Sequence, residues 1–170
     1  MTSLVGSIGT TLLRELVSLR KEVEAYPSDA DLWRVPPGVS NSGGTLAIHL
    51  TGNLQHFIGA VLGKTGYVRD RDAEFAIRGL SRSEVLDRID QTTAALARTF
   101  SSLTDDVLGS RYPEPVAKVR VLTGDFLVHL QSHLAYHLGQ IDYHRRITTG
   151  TGPLPGSLSP ARLGSAETLE

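Results

Sequence analysis

Between Leu122 and Ile147 apolar side chains recur every three or four residues, at Phe126, Leu130, Leu134, Leu138 and Ile141. That period is the signature of an α-helix with one face turned to a core. Three further segments repeat it. Leu12, Leu13, Leu16, Val17, Leu19, Val23 and Tyr26 mark a first helix from about Ser3 to Tyr26, stopped by Pro27. Leu46, Leu50, Leu54, Phe57, Ile58, Val61 and Leu62 mark a second, capped by Asn41 or Ser42 and ending at Gly63 or Gly66. Val85, Leu86, Ile89, Leu96 and Phe100 mark a third, opened by Ser81 and Glu84 in capping-box spacing. Four such stripes predict an all-α fold, a four-helix bundle with long connections.

The connections read as loops. Ser28 to Ser40 contains Pro36, Pro37 and Gly38, and Trp33 just before them is expected to plug an open end of the bundle. Tyr67 to Gly79 is charged and poorly periodic; Asp70, Asp72 and Glu74 alternate with Arg, as in a solvated segment. Thr104 to Val119 carries Gly109, Pro113 and Pro115. After Thr148 the chain is rich in Gly, Pro and Ser, with too little apolar content to fold alone. The expected division is a bundle over residues 1–150 and a flexible C-terminal tail over 151–170.

Composition narrows the chemistry. Seventeen Lys and Arg against eighteen Asp and Glu leave no basic excess for a nucleic-acid backbone. With no cysteine, disulfides, thiolate metal sites and a cysteine nucleophile are excluded. No apolar run reaches the roughly 18–20 residues of a membrane span, and Gly6, Ser7, Gly9, Thr10 and Thr11 break any leader-like pattern. A soluble, cytoplasmic chain is expected. Gly59 to Thr65 falls one residue short of a phosphate loop and follows a helix rather than a strand. No GxSxG elbow anchors a serine nucleophile.

Histidine is what remains. Four of the six, His129, His133, His137 and His144, crowd the last helix. His133 and His137 stand one turn apart on a shared face, and that face carries Phe126, Leu130 and Ile141, so both imidazoles should point into the bundle. On the second helix His49 sits beside Leu46 and Leu50. Inward histidines on facing helices are either packed and satisfied core residues or the ligands of an ion, as in bundle metal sites. Three neutral imidazoles with open positions would make a water-binding, Lewis-acidic centre. His129 and His144 are expected at the rim or surface, His144 near the frayed end of its helix. His56 either steadies a ligand from behind or simply faces solvent, and Asn53 and Gln140 either hold ligand imidazoles or cap packing contacts.

The run from Asn41 to Leu54 around His49, and the HxxxHxGQI run from His133 to Ile141, resemble the DinB-like superfamily of metal-binding four-helix bundles. The resemblance extends over about Leu12 to Ile147. It implies that His49, His133 and His137 are the ligands of a divalent metal ion, zinc or nickel, and that the chain forms a homodimer. It also implies kinship with bacterial thiol-dependent S-transferases, hence a small thiol or electrophile as substrate; the alternative is a non-catalytic metal-binding or stress-response helical dimer. No thiol-recognition pattern is found to transfer.

Overall fold

The computed structural model describes residues 3–155 and 158–167, and among them it is helical. The four predicted long helices are α1 (Leu4–Glu24), α3 (Gly43–Leu54), α5 (Arg82–Ser102) and α6 (Thr123–Thr149). Two short helices, α2 (Asp29–Trp33) and α4 (Arg71–Ala76), lie in segments expected to be loops. Both are nucleated by caps that the sequence spells out. Ser28 accepts from the Asp31 amide and Asp70 from the Ala73 amide, satisfying N–H groups that the first turn leaves unpaired. The capping box at Ser81 and Glu84 forms as expected.

α1 packs against α5 and α6, and α3 packs against the same two helices. In cross-section α1 and α3 are therefore diagonal, and α3 shares a long wall with α6. Leu12, Leu16, Leu19 and Val23 of α1, Leu50 and Leu54 of α3, Val85, Ile89 and Leu96 of α5, and Leu127, Leu134 and Ile141 of α6 are fully buried along the axis. Each such side chain contributes roughly 1.5–3 kcal/mol of transfer free energy on burial. No described helix is long and apolar enough to cross a membrane.

The second predicted helix has the expected extent but changes pitch. After Leu54 it continues as a π-helix, Gln55–Leu62, whose last turn closes with the Gly63 amide on the Ile58 carbonyl at 2.9 Å. Gly63 lies so close to Thr99 of α5 that a Cβ there would overlap its hydroxyl. Trp33 packs flat on Gly44 at the start of α3, and its indole N–H donates to the Leu80 carbonyl at 2.7 Å. α6 ends at Gly150, which takes the left-handed conformation (φ 70°) that a helix C-terminus favours. Past it, the buried Arg145 donates to the Thr151 hydroxyl and the Gly152 carbonyl. Residues 156–157 and 168–170 of the predicted tail lie outside the described residues.

Candidate metal centre

The shared wall of α3 and α6 brings three histidines together. His49 is buried; His133 and His137, one turn apart on α6, are half-buried. Nε2 of His49 lies 3.3 Å from Nε2 of His133, across 84 residues of sequence. One nitrogen from each of the three rings falls within 4.8 Å of the other two, close enough for all three to hold one ion. The rings meet edge to face, with centroids 4.6–5.4 Å apart. These are the three residues that the sequence nominated.

Their other nitrogens have separate partners. Nδ1 of His49 is 2.9 Å from Oε2 of Glu74, and Nδ1 of His137 is 2.7 Å from Oε1 of Gln140. Arg69 grips both oxygens of Glu74, Nε to Oε1 at 2.7 Å and Nη2 to Oε2 at 2.8 Å. Burial alone would raise the Glu74 carboxyl; the hydrogen bonds from Arg69 and His49 outweigh it and hold the group below its ordinary value. An ionised carboxylate can only accept, so the His49 proton sits on Nδ1. Nε2 then presents a lone pair to the cluster.

Burial, reinforced by His137, His49, His129 and Arg69, pushes His133 down to about 4. Burial lowers His137 too, against the hydrogen bond to Gln140. Neutral imidazoles are the form that coordinates a metal. Nδ1 of His133 is buried with no hydrogen-bond partner. If His133 carries its proton there, its Nε2 lone pair faces that of His49, an arrangement that a cation between them would relieve. If the proton is on Nε2 instead, Nδ1 is left as a buried acceptor with nothing to accept. The donor set and this orphaned atom both fit a divalent ion of the kind that favours imidazole.

The remaining nominees divide. His129 is exposed at the rim, its ring stacked between Phe126 and His133. Gln140 does steady a nominated ligand, as described. His56 instead bonds Oε1 of Glu114 at 2.8 Å. Asn53 is buried with Oδ1 unpartnered. Two expectations are overturned. His144 is not at a frayed surface: it is 3% exposed, with Nδ1 on the Tyr26 hydroxyl at 2.7 Å and Nε2 on the Arg34 carbonyl at 2.8 Å. The loop around Arg34 folds over this end of α6 and covers it. Glu74 is not in a solvated segment: it is 4% exposed and packs against α3 at Gly52, where a Cβ would overlap Oε1. Asp70 as a cap ahead of Phe75 was a readable sign of α4; the burial of Glu74 was not readable, because it depends on a contact with another helix.

Fold and site together define a helical bundle whose three-histidine group could hold a metal ion. The family model described as the DinB superfamily matches residues 11–141, and the chain belongs to that superfamily. No curated protein and no solved structure matches it.

Proposed function

We propose that His49, His133 and His137 hold one divalent ion, zinc or nickel, and that the chain is a metal-dependent thiol S-transferase or hydrolase. The convergence of three imidazole nitrogens within 4.8 Å carries this reading. A divalent ion there would supply Lewis acidity, lowering the pKa of a water or thiol enough to give a nucleophile at neutral pH.

The protein's own part is to orient and to admit. Glu74 and Gln140 hold the rings of His49 and His137 by their Nδ1 atoms. Beside His137 opens a cleft of about 480 Å³, walled by Leu46, Tyr136, Tyr143 and Ile147 with Gln140 and Asn41 as polar points. Among the described residues that line it, none is an Asp, Glu, Lys or Arg. It suits the apolar body of a small organic thiol or electrophile. A larger cleft of about 550 Å³ reaches Glu74 but none of the three histidines, and its described lining sets Asp70, Glu84 and Asp87 against a single Arg88, an acidic excess. That charge is the wrong one for a thiolate. No side chain is assigned as general base.

The reading includes a cytoplasmic homodimer with no nucleic-acid or membrane partner, and bundle and tail as separate units. Elemental analysis of protein purified without a polyhistidine tag tests it, with about one divalent ion per chain expected. Screening the loaded protein with thiols and electrophiles then separates an enzyme from a binding protein. Absence of stoichiometric metal after incubation with zinc or nickel would overturn the reading.

A further inference from the structure

We propose that Glu74, clamped by Arg69, is a positioning residue that fixes His49 in the tautomer whose free Nε2 faces His133 and His137. The inference rests on the metal-binding reading above and adds a residue that the motif around the histidines does not contain.

Four separate features bring this carboxylate to His49. The six-residue helix α4 exists in an otherwise irregular segment and is capped by Asp70, four residues before Glu74. Gly52 of α3, three residues after His49, provides the gap that Glu74 occupies. Arg69 binds both carboxylate oxygens, and its guanidinium lies over the Phe57 ring at 5.4 Å, which fixes the fork. Phe75 brings its ring to 4.8 Å from that of His49, closing the other side.

An ion pair between Glu74 and Arg69 would be complete without the histidine, and burying such a pair is weak grounds for stability. What the third hydrogen bond adds is specific. It places the proton of His49 on Nδ1 and aims Nε2 at His133 and His137. A ligating imidazole held in this way by a carboxylate is a more basic and better oriented donor, and loss of such a partner lowers metal affinity by about 10–100-fold. Gln140 on His137 is the neutral counterpart; Glu74 is the charged one, and it is deeply buried.

The test compares wild type with Glu74→Gln, Glu74→Asp and Arg69→Met. Zinc affinity is measured by competition with a chromophoric chelator, and the His49 tautomer by long-range ¹H–¹⁵N correlation on the metal-free protein. Wild type is expected to show His49 protonated on Nδ1. Glu74→Gln should bind zinc about 10–100-fold more weakly and lose the pure Nδ1–H form, because an amide can also donate to Nδ1. Glu74→Asp keeps an acceptor-only group and should recover part of the affinity, which a purely packing role would not predict. Arg69→Met frees the carboxylate from its clamp and should weaken zinc binding, by less than Glu74→Gln does. If Glu74→Gln does not fold, Gly52→Ala, which displaces the carboxylate without removing it, takes its place with the same expected loss. A folded variant lacking the contact that binds zinc within twofold of wild type, with the tautomer unchanged, overturns the proposal alone. Wild type that binds no zinc overturns the metal reading and this proposal with it.

Discussion

The hydroxyl of Tyr26, just past the end of α1, lies 2.7 Å from Nδ1 of His144 near the end of α6. Nε2 of His144 donates to the Arg34 carbonyl, so Nδ1 is the acceptor and the phenol its donor. Burial drives the phenol far above its ordinary value, which keeps it a donor at every accessible pH. Tyr26→Phe should therefore leave a buried acceptor unpaired and cost about 1–3 kcal/mol, read as a lower midpoint in urea. His144→Ala should cost more, since it leaves the Arg34 carbonyl without this donor, leaves the Tyr26 hydroxyl only the longer contact to the Ile141 carbonyl, and opens a cavity. Zinc affinity should be unchanged in both. An unaltered midpoint would show that this tie carries no stability.

Metal should stabilise the fold through all three nominated ligands. An ion that binds only the native state contributes RT ln(1 + [L]/Kd), about 2.7 kcal/mol at a hundredfold excess over Kd. Thermal melting after chelation, with and without zinc or nickel, should show this gain in wild type. It should vanish in His49→Ala, His133→Ala and His137→Ala, whose far-UV spectra should remain helical. His129→Ala, at the rim, should keep it. A gain that survives His133→Ala would refute the ligand set.

The metal-free protein should weaken in mild acid. Burial holds His133 at about 4 in the fold, against about 6.5 for a free imidazole. As pH falls below 6.5 the unfolded chain takes up a proton that the folded one refuses until about 4. Stability that is complete above 6.5 is lost across that interval. His137 and His144, also lowered by burial, add to the same slope. Urea midpoints measured in chelator from pH 7.5 to 4.5 should fall steadily, and less steeply in His133→Asn. A flat profile would contradict the burial argument.

The uncharged cleft should select the body of the ligand. Binding of a small aromatic thiol to the zinc-loaded protein, followed by calorimetry, should weaken in Tyr136→Ala and Tyr143→Ala. Loss of a ring contact is worth about 0.5–1.5 kcal/mol beyond its area, hence roughly two- to tenfold in Kd. Zinc affinity itself should not move. Equal binding in both variants would place the organic ligand elsewhere.

The long helices and the three histidines were legible because both rest on short-range periodicity. Leu130, Leu134 and His137 announce one face of α6 whatever that face meets. His49 could be matched with His133 only through the resemblance, since no local rule joins positions 84 apart. Glu74 and His144 were misplaced for the same reason. An acidic residue among arginines and a histidine near a helix end are ordinary surface patterns. What buries them is the bare backbone of Gly52 in one case and the loop at Arg34 in the other, and neither contact leaves a periodic trace. The switch to π-helix after Leu54 was likewise unseen, because Phe57, Ile58, Val61 and Leu62 follow Leu54 at the three- and four-residue spacing of an ordinary α-helix.

The bidentate grip of Arg69 on Glu74 also settles the electrical balance of the centre. Neutral imidazoles bring no charge, and the carboxylate that contacts His49, Glu74, is already answered by a guanidinium. An ion seated there would keep its whole double positive charge, in a half-buried place. Whatever completed its coordination would therefore be favoured for being negative. Small anions such as azide or a thiolate should bind the loaded protein well and the metal-free protein hardly at all, with the neutral cleft beside His137 sorting them by the rest of the molecule they carry.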